Sequence, residues 1–148
     1  MLVKCILNDL NLIKDEALKK RIDVEIYSPN GKIPLSVNKD YLVYGVEFWS
    51  NLYPRFYICD DRYPRMNYPV PYFADFFSMI DNRVSKYWAF GIRNGAEGKI
   101  YPSLSFKEWV DDPSFFERLI DGDTNAKKVF EKYKNLMDPE VATDILRE

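Results

Sequence analysis

Short apolar and aromatic runs, separated only by turns, constrain the fold of this chain most strongly. β-Branched and aromatic residues dominate "YLVYGVEFW" (41–49), "RFYIC" (55–59) and "KYWAFGI" (86–92), a composition typical of strands. Four prolines between residues 54 and 71 keep that part of the chain out of regular helix. Because the segments between the runs leave little room for crossover helices, the runs predict an antiparallel, strongly curved sheet or a small SH3-like barrel.

A β-hairpin is expected ahead of these runs. Apolar and polar residues alternate over residues 22–26 and again over 33–37, on either side of Asn30-Gly31. Asparagine and glycine tolerate the positive φ angles of tight hairpin turns, so this pair predicts the turn. The predicted sheet therefore covers roughly residues 22–101, and segment 73–81 fits a helix as well as a strand.

Helix patterns lie before and after the predicted sheet. Residues 9–21 carry apolar side chains at helical spacing among charges, which predicts an amphipathic helix. "SFKE" (105–108) matches a capping box, a pattern that begins a helix. Asp112-Pro113 is typical of another helix start, and Gly122 is expected to end that helix. A last helix is expected over residues 123–139, where an Asp-Pro pair ends it.

These elements predict an α+β fold. We expect a curved antiparallel sheet or SH3-like small barrel, with an N-terminal helix and C-terminal helices. The chain has 148 residues, of which 47% are hydrophobic, so a single domain over residues 1–148 can bury one core. No run approaches the roughly 18 apolar residues that span a membrane, and no leader pattern begins the chain, so we expect no membrane contact and a cytoplasmic protein.

The residue inventory argues against most enzymes. The chain has no histidine, which removes imidazole from nucleophile activation and from metal ligation. Its glycines form no phosphate-binding motif, and its two cysteines form no C-x-x-C pair. We therefore expect no catalytic residue, no cofactor and no metal. Cys5 and Cys59 lie in apolar runs and are expected to be buried, reduced thiols.

Asp60 and Asp61 are the remaining candidates for carboxylate chemistry. Neighbouring residues on a strand point to opposite faces, and aspartates at a strand end commonly begin a turn. We expect that turn. A histidine-free hydrolase is a further alternative, and it requires that the two carboxylates share a pocket.

An aromatic and basic stretch over residues 53–72 is compatible with stacking on single-stranded nucleic acid. The candidate contacts are Arg55, Arg62, Arg65, Tyr57 and Tyr63. Asp60 and Asp61 lie inside this stretch and offset its charge, and the whole chain carries a net charge of -2. Nucleic-acid binding is therefore kept as the alternative to protein binding.

Residues 104–123 hold a concentration of negative charge. Six acidic residues less two basic ones leave a net charge of -4 in this segment. Some of these carboxylates suit helix starts, and the others could steer a basic protein partner. The predicted partner-binding residues are Asp111, Asp112, Glu117, Asp121 and Asp123.

Four stretches carry a resemblance to a known group of proteins: "PLSVNKDYLVYGVEFW", "YICDD", "FFSMIDNRVSKYWAF" and "LSFKEWVDDPSFFERLIDGD". Together they resemble small bacterial proteins, some of which are similar to the immunity proteins encoded beside polymorphic or contact-dependent toxins. The resemblance covers roughly residues 33–137 and contains no catalytic signature. It implies a single-domain cytoplasmic protein that neutralises a toxin by binding it, and the acidic segment described above would suit a basic toxin domain. It identifies no site residue and leaves the oligomeric state open.

Overall fold

The structure, a computed structural model, describes residues 1–25, 28, 30–49 and 53–145, with the backbone alone described for 23–25 and 142–145. The strands are β1 (Leu2–Cys5), β2 (Asp40–Leu42), β3 (Gly45–Trp49), β4 (Tyr53–Ile58), β5 (Val70–Phe73), β6 (Phe77–Asp81), β7 (Trp88–Asn94) and β8 (Ile100–Phe106). The α-helices are α1 (Glu16–Glu25), α2 (Lys107–Val110), α3 (Phe115–Ile120) and α4 (Thr124–Ile145). Short 3-10 helices cover Leu10–Leu12, Ala74–Phe76 and Ala96–Gly98.

The strands form two antiparallel sheets. The larger sheet has the order β5-β4-β3-β8-β7, and the smaller sheet has the order β2-β1-β6. The predicted α+β fold is confirmed. Both sheets are open in the part of the chain that the structure describes, so the SH3-like barrel, the second of the two predicted architectures, does not occur.

The first hydrophobic core joins the two sheets and α1. Val46 and Phe56 are register partners on β3 and β4, and both are buried in this core. Val3 and Phe77 come from the smaller sheet, and Ile22 comes from α1. Successive residues of a strand point to opposite faces, so one face of the larger sheet is directed into this core.

The second hydrophobic core lies against the C-terminal helices. Tyr57 is the neighbour of Phe56 and packs here with Trp109 of α2, Leu119 of α3 and Phe130 of α4. The larger sheet therefore separates two cores, with the smaller sheet and α1 packed into one and α2, α3 and α4 packed into the other.

The N-terminal region differs from the predicted one. The helix expected over residues 9–21 is a 3-10 turn followed by α1, which begins after Asp15, whose carboxylate accepts the backbone N–H groups of Ala17 and Leu18. The strand expected over residues 22–26 is wrong for residues 22–25, because α1 continues through them and buries Ile22 in the first core. Residues 26, 27 and 29 lie outside the described chain.

The second strand of the expected hairpin, over residues 33–37, is also wrong. Gly31 does adopt a positive φ of 68°. The chain that follows makes only an isolated bridge, between Asp9 and Lys32. Its apolar residues Ile33 and Leu35 are nevertheless buried in the first core. Alternating burial therefore occurs here without strand pairing.

The capping box expected at "SFKE" is wrong, because Ser105 belongs to β8. Its hydroxyl is buried and donates to the Tyr44 carbonyl at 2.8 Å, and α2 begins only after Phe106. The sheet consequently extends beyond residue 101, to Phe106. The expected helix end at Gly122 and helix start at Asp123 are both confirmed.

Pro139 does not end the last helix. α4 continues to Ile145, although a proline inside a helix removes one backbone hydrogen bond. Contacts on both sides of Pro139 anchor the helix. Asp138 accepts from the Tyr44 hydroxyl at 2.7 Å, and Glu140 accepts from the Lys86 backbone N–H at 3.1 Å.

Candidate protein-binding surface on α2 and α3

The sheet positions α2 through a close contact at Gly91. A Cβ atom on Gly91 would lie 2.6 Å from the Val110 Cβ, a distance too short for two carbon atoms. Glycine at this point of β7 therefore lets α2 lie directly on the sheet. Because α2 has only four residues, this packing, and not its own hydrogen bonds, holds it in place.

Aromatic side chains form the base beneath α2 and α3. Trp109 and Phe115 are buried in the second core, and Phe116 is half-buried. The Phe116 ring stacks on Trp109 at 5.8 Å and meets the Tyr57 ring edge-on at 5.0 Å. Stacked and edge-on ring pairs have defined geometries, so this base fixes the backbone of both helices.

Two of the five predicted partner-binding carboxylates, Asp112 and Asp123, bind groups at the helix starts of this chain. Asp112 accepts from Ser114, through both its backbone N–H and its hydroxyl, and from Arg118 at 2.6 Å. These hydrogen bonds hold the pKa of Asp112 down at about 2. Asp123 accepts from the Ala126 backbone N–H at 2.8 Å, which caps α4, and from Arg118 at 3.3 Å. Arg118 therefore links the starts of α3 and α4.

The other three carboxylates are exposed, and we call them together the acidic surface: Asp111, Glu117 and Asp121. Glu117 and Asp121 are four residues apart and so share a face of α3 and its C-cap. Asp111 forms an ion pair with Lys107, one helical turn earlier, and both side chains are more than half exposed. Exposed ion pairs contribute little to stability, so Asp111 can exchange Lys107 for another cation at small cost.

Glu108 is a fourth exposed carboxylate, and sequence reasoning did not select it as a site residue. Its hydrogen bond with the Tyr133 hydroxyl is the main reason that the pKa of Tyr133 rises to about 12. The charge count over residues 104–123 already included Glu108. Its position beside the acidic surface follows from the α2 backbone, which the sequence did not predict correctly.

Arg55 and Tyr57, two of the predicted nucleic-acid contacts, lie on the larger sheet beside Glu47. Arg55 forms an ion pair with Glu47 at 3.1 Å and lies over the Trp49 ring at 4.5 Å. Tyr57 is buried and donates to Glu47 at 3.3 Å, and burial is the main reason that the pKa of Tyr57 is raised. The Tyr57 ring belongs to the second core and is closed to a base.

Arg62, Tyr63 and Arg65 follow in the turn after β4. Arg62 binds the Asp60 carboxylate through two guanidinium nitrogens, at 2.6 and 3.1 Å. Tyr63 and Arg65 are exposed, and the Lys134 ammonium lies 5.0 Å from the Tyr63 ring centre. The five predicted contacts are therefore divided between a buried part of the sheet and an exposed turn.

Asp60 and Asp61 bind different parts of the chain. Asp60 is buried, accepts the Arg62 backbone N–H as expected of a turn, and accepts from the Tyr72 hydroxyl at 2.7 Å. Asp61 accepts from Ser36, Lys39 and Tyr41, at 2.5 to 2.7 Å. Each carboxylate has its own set of partners, so the shared pocket that the hydrolase alternative requires is not formed.

Both cysteines are free thiols, and they pack against different cores. Burial raises the pKa of Cys59 to about 12, and burial also raises the pKa of Cys5. At neutral pH both groups are protonated, which is the unreactive form of a thiol.

Among the described residues, no group of three or more histidine, cysteine, aspartate or glutamate side chains is placed to hold a metal ion. None of the described helices combines the length and apolar character needed to cross a bilayer.

Comparison of the chain with protein families, with curated proteins and with solved structures gives no match. The functional interpretation therefore depends on the geometry described above and on the resemblance noted from the sequence.

Proposed function

We propose that this protein is a non-enzymatic protein-binding module that acts as an immunity protein in the cytoplasm, where it neutralises a cognate bacterial toxin by direct binding. The observation that supports this most is the acidic surface, whose carboxylates are exposed on helices that an aromatic base holds in fixed positions. Groups held in place before binding lose little conformational entropy when a partner arrives.

The charge of the acidic surface suits a basic partner. A toxin that cleaves nucleic acid needs cationic side chains to hold phosphates, and carboxylates can bind the same cations. Bound in this way, the protein covers the toxin's active site. Opposite charges also accelerate the encounter of the two proteins, since they attract before contact.

Among the residues predicted from sequence, we assign the partner contacts to Asp111, Glu117 and Asp121. Asp112 and Asp123 support these contacts indirectly, because both bind Arg118 and so fix the two ends of α3. This division separates residues that meet the partner from residues that shape the surface.

The alternative, binding of single-stranded nucleic acid, has less support. The guanidinium groups of Arg55 and Arg62 already bind the carboxylates of Glu47 and Asp60. A phosphate would have to displace an ion pair at each position. Arg65 and Tyr63 are the exposed members of that predicted set.

Charge reversal tests the proposed surface. The double variant Glu117→Lys with Asp121→Lys is expected to bind the proposed cognate toxin about 100-fold more weakly, or ~2.7 kcal/mol, by titration calorimetry at low salt. The loss should shrink as salt is added, because screening weakens charge attraction.

The matched control reverses two exposed glutamates outside the acidic surface, in the double variant Glu16→Lys with Glu97→Lys. It changes the net charge by the same amount and should bind nearly as tightly as the unmodified chain. Equal affinities for the two double variants would contradict the assignment of the acidic surface.

A further inference from the structure

β7 is an edge strand with little of the protection that edge strands usually carry. No described strand pairs with its outer side, since β8 is its neighbour in the sheet. Exposed edges are commonly blunted by lysine, proline or several charges, because their free N–H and C=O groups can pair with another chain. Over Trp88–Asn94, Arg93 is the one charged residue.

Large apolar side chains are exposed on one face of this edge. Phe90, Ile92 and Ile100 are 62%, 55% and 53% exposed, and we call them the β7 strip. Phe90 lies opposite Leu104 of β8, which packs against the first core. The β7 strip therefore continues the core face of the larger sheet. It is exposed because a sheet of five strands faces a sheet of only three.

We infer that β7 pairs antiparallel with β7 of a second copy of this chain, about a two-fold axis that passes at Gly91. In this register Gly91 lies opposite its own copy, and Phe90 of each chain lies opposite Ile92 of the other. The apolar side chains of the two chains thereby contact each other across the axis on the same face, and the two larger sheets become continuous. A symmetric contact of this kind needs one surface that is complementary to itself, which β7 provides.

Charges on the opposite face fit the same register. Val110 lies over Gly91, so α2 and Arg93 occupy this face of β7. The register places Arg93 opposite Ala89 of the second copy, beneath an α2 whose charged residues and C-cap, Lys107, Glu108 and Asp111, carry one positive and two negative charges. A net charge of -1 on α2 therefore lies near Arg93 of the other chain on both sides of the axis.

The helices leave room for this arrangement. α2 packs across both β7 and β8, and neighbouring strands are about 4.8 Å apart. The two copies of α2 then lie about 10 Å apart, an ordinary distance between packed helices. A second copy therefore satisfies the strand edge, the apolar strip and the charges together, which selects it as the occupant over a foreign strand.

Light scattering coupled to size-exclusion chromatography tests this inference over a range of concentrations. The unmodified chain should reach twice its monomer mass of 17.5 kDa. Phe90→Lys and Ile92→Lys should each halve that mass, because lysine replaces the apolar contact between Phe90 and Ile92 across the axis. Leu12→Lys, at a residue that is 66% exposed on the 3-10 helix after β1, should remain dimeric.

A cross-linking experiment tests the register itself. A mixture of Phe90→Cys and Ile92→Cys chains should form a disulfide between the two variants under mild oxidation, and it should form faster than in either variant alone. A monomer at every concentration overturns the inference, as does a dimer that survives Ile92→Lys. A dimer sensitive to both lysine variants but without the mixed disulfide overturns the register at Gly91. The charge-reversal test on α3 uses neither Phe90 nor Ile92, so the two proposals can fail separately.

Discussion

At the scale of single residues, Asp61 joins parts of the chain that are distant in sequence. Its carboxylate accepts from Ser36, Lys39 and Tyr41, and its backbone N–H donates to the Pro34 carbonyl at 3.0 Å. Burial raises the pKa of Asp61, but the hydrogen bonds from Lys39, Ser36 and Tyr41 outweigh it and hold the pKa below the ordinary value. A single carboxylate thus fixes the segment before β2 against the end of β4.

Three lowered carboxyl pKa values predict the response of the fold to acid. Asp61 is one, and the pKa values of Asp81 and Asp112 fall to about 2, through Arg83 for Asp81 and through Ser114 and Arg118 for Asp112. The folded state therefore favours the charged form of each group. This stabilisation is complete above the unfolded pKa and is lost as pH falls through the folded value.

The free energy of unfolding, measured with urea, should accordingly stay level between pH 7 and about pH 5 and decline between about pH 4 and pH 2. In Asp112→Asn this decline should be smaller, because one of the three linked carboxyl groups is absent. An acid decline as large in Asp112→Asn as in the unmodified chain would show that Asp112 carries no such linkage.

At the scale of elements, α2 shows how the sheet determines the position of a very short helix. The Gly91→Ala substitution introduces a methyl group about where Val110 now lies, so α2 must move away from β7. We expect a loss of about 1–3 kcal/mol in the free energy of unfolding, the usual range for overpacking.

This loss is best measured by urea unfolding in the Ile92→Lys background, so that association through β7 does not contribute. Near-ultraviolet circular dichroism should change as well, because Trp109 lies next to Val110 in α2. An unchanged unfolding free energy would mean that α2 does not depend on Gly91.

Elements defined by neighbouring residues could be predicted from the sequence. The end of α3 is one case: Gly122 has a φ of 84°, and the Asp123 backbone N–H donates to the Arg118 carbonyl at 2.9 Å. Both the positive φ and this hydrogen bond belong to a type of helix C-terminus in which glycine is preferred over other residues. The start of α4 at Asp123 is equally local, since its carboxylate caps the Ala126 N–H.

Elements defined by distant partners could not be predicted in the same way. "SFKE" has the local pattern of a helix start, yet Ser105 pairs with Ala89 of β7 and bonds the Tyr44 carbonyl, so the strand continues. At Ile22 the alternating pattern of a strand and the spacing of a helix overlap, so the sequence fits both. The chain is helical there, and the Ile22 side chain packs in the first core.

The same distinction applies to the candidate site. The net negative charge of the site could be predicted from the composition of residues 104–123, because a count of charges does not depend on where each side chain points. The separate roles of its carboxylates could not be predicted, because only the folded chain brings Arg118 to both Asp112 and Asp123. These ion pairs span six and five residues, separations that differ from the three- or four-residue spacing of side chains on one helix face, so the spacing of the charges did not predict them.

At the scale of the whole molecule, the larger sheet has cores on both faces and still leaves two surfaces available. The acidic surface lies on the helix side, and the β7 strip lies where the core face runs past the smaller sheet. We assign the first to a basic toxin and the second to another copy of the chain. The acidic surface and the β7 strip share no residue.

The most direct test of the proposed function takes a toxin candidate, captured with this protein or encoded in a neighbouring reading frame, and measures its activity while the protein is titrated into it. We predict that activity falls to background near one equivalent of protein, and that the protein alone leaves a fluorescent random oligonucleotide unbound at low salt. Full toxin activity in the presence of excess folded protein would contradict the proposed function.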